Sequence, residues 1–261
     1  SISEEAYYGL AGEIVRAIEP FSEADPIAIL ANLLCAFGNC AGSNAHFLVE
    51  QTKHCMRLFT VLVGDTSVGR KGQSWSTLKH MFTEVDPDWA KERIKGGLSS
   101  GEGLIFNVRD ARIEKKKNKT RGEKGEITYE DVVADCGVFD KRLFLIEEEF
   151  SKVLTTARPD GNTVGQMVRM AWDTGNLQPL SKTDPIKATN AHISITAHIT
   201  SFELLQCFTR TDQANGYGNR FLWFFVQRSK LLSNPTGVPL ISLNSHINKL
   251  KSALAFATTA E

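Results

Sequence analysis

Lys71 and the glycines upstream of it are the residues of this chain best suited to chemistry. In RLFTVLVGDTSVGRKGQSWSTLKH, residues 57–80, Gly64 and Gly69 stand in a polar loop that Arg70 and Lys71 close. Backbone N–H groups of a tight glycine loop, together with roughly half a positive charge at a helix start, hold an anion such as phosphate. A lysine beside that nest adds a full charge. The stretch Gly64, Asp65, Thr66, Ser67, Val68, Gly69, Arg70, Lys71, Gly72, Gln73 and Ser74 is therefore expected to cradle phosphate. It departs from the pattern G-x-x-x-x-G-K-[ST]. Arg70 takes the lysine position, Lys71 comes one residue late, and Gly72 follows it where Ser or Thr is usual. A hydroxyl for Mg²⁺ then comes from Ser74, Thr66 or Ser67, or is absent.

The acidic counterpart lies in KRLFLIEEEF, where Glu147, Glu148 and Glu149 follow four apolar residues. Carboxylates at the end of a buried strand can hold Mg²⁺ and orient an attacking water. Glu147 is expected on the metal side, with Glu148 or Glu149 as the base. Glu147 and Glu149 share a direction only if the strand runs on past Ile146. His198, after the alternating run HISITA, is a candidate reporter of a terminal phosphate. Arg220 follows the glycine pair Gly216 and Gly218 and can reach a phosphate in its own subunit or a neighbour. Such arginine fingers contribute roughly 10³ to 10⁵ in turnover. Arg228, at the far end of the same aromatic strand, is the weaker candidate.

Strands and helices must bring these groups together. Leu58–Val63 and Leu143–Ile146 read as buried strands, because largely apolar runs of that length suit a sheet covered on both sides, and the alternating His192–Ala197 reads as a further core strand. Ligands of doubly wound sheets sit at the carboxyl ends of such strands, where the phosphate loop and the acids both emerge. Helices are expected over Glu4–Ile18, which Pro20 closes, and over Ile27–Cys40, apolar on nearly every side and hence buried. A helix begins near Ser74 and ends at Pro87, a second covers Trp89–Ile94, and Thr200 with Glu203 forms a capping box before another. His46–Glu50 reads as a short strand, Val164–Trp172 as a helix, and Ile247–Leu254 as the closing amphipathic helix.

Glycines 96, 97, 101 and 103 crowd a helix start that Ser99 or Ser100 can cap, either as a second ligand-facing junction or as turn chemistry. The basic run near 113–126 holds Lys115, Lys116, Lys117, Lys119, Arg121 and Lys124. Glutamates dilute it and apolar residues are few, which favours a solvated insertion over a DNA-binding patch. Lys182 and Lys187 mark a second hairpin that could face DNA or solvent.

The composition sets outer limits. At 261 residues, 42% apolar and 23% charged, the chain suits one large α/β core with a helical appendage. A formal net charge of zero excludes a global pull toward nucleic acid, so any such binding needs local patches. No apolar stretch reaches the roughly 18 residues of a membrane span. Five scattered cysteines without a C-x-x-C suit reduced thiols in a cytoplasm. His46, His54 and Cys55 lack zinc-site spacing and read as a chance cluster. The opening SISEEAYYGL has neither Met nor a signal layout and reads as an excised fragment.

Taken in order, YYGLAGEIVRAIEP, VLVGDTSVGRKGQSW, LSSGEGLIFNVRD, DKRLFLIEEEF, AHISITAHIT and NGYGNRFLWFFVQRSK resemble a P-loop ATPase family of bacterial mobile elements and phages. Its members are associated with primase-polymerase modules, and the RKG form of the loop is typical of them. The resemblance implies a RecA-like P-loop NTPase fold: a mostly parallel central sheet flanked by helices, with an N-terminal helical segment over 1–44 packed on a core over 45–261. It implies ATP and Mg²⁺ as cofactors, Lys71 in a Walker A loop, Glu147 and its neighbours as Walker B, His198 at the sensor-one position and Arg220 as a finger. The family's acidic motif, E-x-E-F, favours Glu149 as the companion of Glu147. It further implies a helicase-like motor in replication, acting on single-stranded DNA as a homo-oligomer, with a hexameric ring as one form. The alternative from the residues alone is a nucleotide-binding scaffold that recruits a primase or replication partner with little hydrolysis, which the missing hydroxyl after Lys71 keeps open.

Overall fold

The computed structural model describes residues 2–65, 71–118, 128–157, 163–179, 186–210, 212, 215–233 and 237–259. Its centre is a five-stranded parallel sheet in the order β4 (Ile94–Lys95), β7 (Arg142–Glu147), β8 (His192–Ile199), β3 (Phe59–Val63) and β9 (Leu222–Phe225). All five residues of β3 and all eight of β8 are buried, as strands covered on both faces require, and β8 buries the polar His192, Ser194, Thr196 and His198 of its alternating sequence with the rest.

Alternation along the strands sorts the side chains into two cores. Phe59, Val61 and Val63 face one way, with Leu143, Leu145, Ile193 and Ile195, and are covered by α5 (Gly101–Phe106), α6 (Phe150–Thr156) and α7 (Val164–Asp173). Leu62 and Phe144 face the other way, against α1 (Gly9–Ile18), α2 (Pro26–Ala41), α3 (Gln73–Val85), α4 (Pro87–Glu92) and α9 (Asn244–Thr259). The N-terminal helices thus share one core with α3 and the sheet.

Helix starts follow local chemistry. Pro26 occupies the first turn of α2, where its missing N–H costs nothing, and Asp25 accepts from the Ile27 N–H at 3.2 Å. Asp86 caps α4 by accepting from the Trp89 N–H at 3.0 Å. The capping box at α8 (Ser201–Cys207) forms as the sequence leads one to expect, with Thr200 and Glu203 exchanging bonds. The first expected helix is shorter: a 3₁₀ turn over Glu4–Ala6 precedes α1.

Short polar strands are the additions. β1 (His46–Val49) pairs antiparallel with β2 (Thr52–Cys55), whose sequence TKHC has no apolar pattern. The insertion is corrected as well: its described part is an antiparallel ribbon of β5 (Arg112–Asn118) and β6 (Thr128–Asp135), reaching past 126. Lys115 and Lys116 pair across it with Asp131 and Glu130, and opposite charges at paired positions stabilise a ribbon that buries little. Lys119, Arg121 and Lys124 lie outside the described residues, as does Lys182. A bridge between Leu177 and Ala188 supports the hairpin expected around it. Among the described residues no helix is long and apolar enough to cross a membrane.

Candidate functional site

Strands β3, β7 and β8 end at one edge of the sheet, and a cavity of about 1090 Å³ opens there. Asp65, Lys71, Gly72 and Gln73 line it from the β3–α3 loop, Glu148 and Glu149 from the end of β7, and His198, Thr200 and Glu203 from β8 and α8. Lys71 and the acidic segment, 76 positions apart by number (147 − 71), therefore meet at this edge through Glu148 and Glu149.

The loop is anchored at both ends. The Gly64 N–H donates to the Ile199 carbonyl at 3.1 Å, and a Cβ on Gly64 would come within 2.5 Å of the Val226 carbonyl oxygen. Only glycine lets β9 and the loop approach so closely. Lys71 is half-buried, and its ammonium donates to the Gly64 carbonyl, folding the side chain back across the loop. Burial lowers its pKa, while Glu203 and Asp65 act in the opposite sense. Thr66, Ser67, Val68, Gly69 and Arg70 lie outside the described residues.

His198 is buried at the edge beside Lys71, and its Nε2 has no hydrogen-bond partner among the described residues. Burial and the nearby ammonium push its pKa down to about 4, so the ring is neutral at pH 7. A neutral imidazole can donate from one nitrogen and accept at the other. A buried polar atom left without a partner costs stability, and such groups concentrate where a ligand completes them.

The three glutamates line one smaller cavity together, and only Glu148 and Glu149 also line that of Lys71. β7 stops at Glu147 and a turn carries Glu148 and Glu149 away from it. Glu148 and Glu149 are exposed and line the Lys71 cavity, with Glu149 also paired to Lys152. Glu147 is buried, and its Oε1 accepts from the Leu98 N–H at 2.8 Å. Burial raises its pKa, and the Gly97 and Leu98 N–H bonds oppose the rise. Glu147, expected on the metal side, does not line the Lys71 cavity: strand alternation directs it into a smaller one shared with Glu148 and Glu149, where it holds the β4–α5 loop.

Ser74, the other expected metal ligand, is also buried. It donates to the Lys71 carbonyl and accepts from the Asn32 amide, and it is not part of the cavity lining. Among the described residues no group of three His, Cys, Asp or Glu side chains could hold a metal, His46, His54 and Cys55 included. Mg²⁺ asks for less, since one or two carboxylates with phosphate oxygens and water complete its shell. The pair Glu148 and Glu149 fits that requirement.

Arg220 lies at the opposite edge. It precedes β9, which runs parallel to β3, so a strand length of about 16 Å separates it from the Lys71 end. Its guanidinium forks onto Asp173, at 3.1 Å from Nε and 2.7 Å from Nη2, and Nη1 donates to the Gly216 carbonyl at 2.6 Å. Reach into its own subunit's cavity is thereby corrected. Arg228 lies past the correct end of β9 but sits 3.8 Å from the Glu23 carboxylate, turned to the N-terminal helices.

The glycines at 96, 97, 101 and 103 serve turns and packing. Gly97 has φ of +82°, and a Cβ on Gly101 would come within 2.2 Å of the Thr163 hydroxyl. Glu203 is the residue that sequence reasoning read only as a cap. Its carboxylate, held by Thr200 and Ser151, also faces the cavity. No protein-family model matches the sequence, and no curated protein matches it.

Proposed function

We propose that the Lys71 cavity binds ATP with Mg²⁺ and hydrolyses it, and that the chain is a P-loop ATPase of a replication-associated, helicase-like motor on DNA. One observation carries the reading: a lysine from a strand–loop–helix junction shares a cavity with four carboxylates, Asp65, Glu148, Glu149 and Glu203, and a buried neutral histidine, at the carboxyl edge of a parallel sheet. The strand order is in keeping with it: β8, which carries His198, lies between β3 and β7.

Lys71 exchanges its bond to the Gly64 carbonyl for one to a phosphate oxygen, a charge-assisted bond in a partly dehydrated site. Bound Mg²⁺ supplies charge neutralisation at the transferred phosphoryl group. Glu148 and Glu149 divide the remaining work, one toward the cation and one accepting the proton of the attacking water. His198, neutral at pH 7, offers a hydrogen bond without adding charge. Arg220 acts on the cavity of a neighbouring copy, which requires a head-to-tail contact and thus a ring or a filament.

A scaffold with little hydrolysis is the second reading. It is favoured by one observation: Glu147 and Ser74, the two residues expected at the cation, are both engaged in protein hydrogen bonds. Steady-state phosphate release from Mg·ATP, with and without single-stranded DNA, separates the two. A motor is stimulated by DNA; background release in both arms contradicts hydrolysis and leaves the scaffold. Mixing Lys71→Ala with Arg220→Ala subunits tests the shared interface. Recovery of turnover in the mixture is expected, and turnover by a monomeric wild type contradicts it.

A further inference from the structure

A chain of buried hydrogen bonds runs from the middle of the sheet to the phosphate loop. Asn32, Thr60, Ser74 and Thr196 are polar residues exposed by no more than 2%. Thr60 and Thr196 are 2.6 Å apart across β3 and β8. Thr196 donates to the Asn32 carbonyl oxygen at 3.0 Å, and the Asn32 amide donates to the Ser74 hydroxyl at 2.8 Å. Ser74 donates to the Lys71 carbonyl at 2.5 Å.

The donors line up in one direction. A threonine hydroxyl has a single proton. Because Thr196 gives its proton to Asn32, the short Thr60–Thr196 contact takes its proton from Thr60. Each later donor points on in turn: one of the two amide protons to Ser74, and the Ser74 proton to the Lys71 carbonyl. Hydrogen bonds arranged head to tail polarise one another, and losing one member of a buried set leaves its neighbours unsatisfied. The Ser74 hydroxyl, its proton held by Lys71, keeps one lone pair uncommitted.

We infer that Asn32 is a positioning residue for the nucleotide site, and that through Thr196 and Ser74 it ties the sensor strand to the phosphate loop. This rests on the nucleotide reading of the Lys71 cavity. The relay links three elements that a ligand must hold together: β8, which carries His198 two residues beyond Thr196; α2; and the start of α3. A shift of β8 on contact between His198 and a phosphate stretches the Thr196–Asn32–Ser74 path and is felt at Lys71. The N-terminal helical segment therefore takes part in the site as well as covering the sheet.

The test has an arm that needs no nucleotide. Amide hydrogen exchange of the free protein is expected to quicken about tenfold over residues 73–77 in Asn32→Leu and in Thr196→Val, on the loss of one net hydrogen bond, with α9 unchanged. Thr196→Ser, which keeps the hydroxyl, should exchange as wild type does. Exchange that is unaltered in both apolar variants overturns the relay whether or not ATP binds. The second arm is the affinity for Mg·ATP. Asn32→Leu and Ser74→Ala each weaken it about tenfold, and the double variant is no weaker than Ser74→Ala alone, because both act on one path. Additive losses assign Asn32 a general structural role and overturn the proposal. A wild type that exchanges as expected yet fails to bind Mg·ATP refutes the nucleotide reading instead, and with it the positioning role.

Discussion

The two edges of the central sheet treat their charged side chains differently, although a buried histidine nitrogen without a partner among the described residues occurs at both, on His192 at one and His198 at the other. At the edge where β3, β7, β8 and β9 begin, charges are matched in pairs or triads. Arg220 forks onto Asp173, Arg142 bridges Asp86 and Asp140, and Lys141 binds Asp110 together with two backbone carbonyls. At the edge where the strands end, Glu148 is exposed, Lys71 settles on a backbone carbonyl, and His198 keeps a buried nitrogen without a partner among the described residues. Pairing at the first edge stabilises the fold. The proposed function draws on the less completely paired charges at the second.

The largest effect is expected at Arg220, the one residue of the paired edge that the proposed function also sends, out of its fork with Asp173, to a neighbouring copy. Its replacement by alanine should lower DNA-stimulated phosphate release by about 10³-fold while Mg·ATP affinity stays near the wild-type value, because a finger acts in the transition state of a neighbour's site. A fall in affinity without a fall in turnover contradicts action across an interface.

Next come Glu148 and Glu149. Replacing the true base with glutamine should cost about 10² to 10³ in turnover, as for other groups that act on a developing charge. The other replacement should raise the Mg²⁺ concentration needed for half-maximal rate. Equal and small effects from both remove them from the chemistry.

Glu147 sharpens the contrast from the other side, as a carboxylate of the acidic run that serves the fold. Glu147→Ala leaves the Leu98 and Gly97 N–H groups unpaired and should cost about 1 to 3 kcal/mol of stability, read in urea unfolding, with Mg·ATP affinity intact. An affinity loss larger than that of Glu148→Gln returns Glu147 to the cation.

The smallest effect is a pH dependence of two signs. His192 and His198 are both pushed down to about 4 from the ordinary 6.5, in each case chiefly by burial. Between those values the unfolded chain binds protons that the folded chain refuses. Their contribution to stability is thus complete above about pH 6.5 and is lost as pH falls toward 4. Glu147 has the opposite slope: its raised pKa favours the fold below the ordinary carboxylate value, and that gain is lost as pH rises through the folded-state pKa. His198→Asn should flatten the fall in unfolding free energy between pH 6.5 and 4, and an unchanged slope contradicts its buried, neutral state.

The sequence was most legible where burial dominates. β3 and β7 are largely apolar runs because helices cover both their faces, so composition marks them, whereas β8 shows itself by alternation although its polar residues are buried too. β2, β4 and the β5–β6 ribbon are short or polar and are held by pairing with a neighbour, which no local pattern displays. The meeting of Lys71 with the acidic segment followed from the edge rule for parallel sheets. That Glu148 and Glu149 line the Lys71 cavity and Glu147 does not was less legible, because it turns on where β7 ends. The edge occupied by Arg220 depends on β9 pairing parallel to β3, a long-range choice that the aromatic run cannot specify. Asn32 did leave a signal: with Asn39 it sits seven positions along one face of an otherwise apolar helix, and two buried amides there require partners.

The most direct test of the central claim is a titration of the wild-type chain and of Lys71→Ala with Mg·ATP, followed by calorimetry. Saturable binding by the wild type that the substitution weakens at least about a hundredfold is expected, in keeping with the loss of a charge-assisted phosphate contact. Equal binding by the two proteins, or none by the wild type, contradicts the assignment of this edge to a triphosphate.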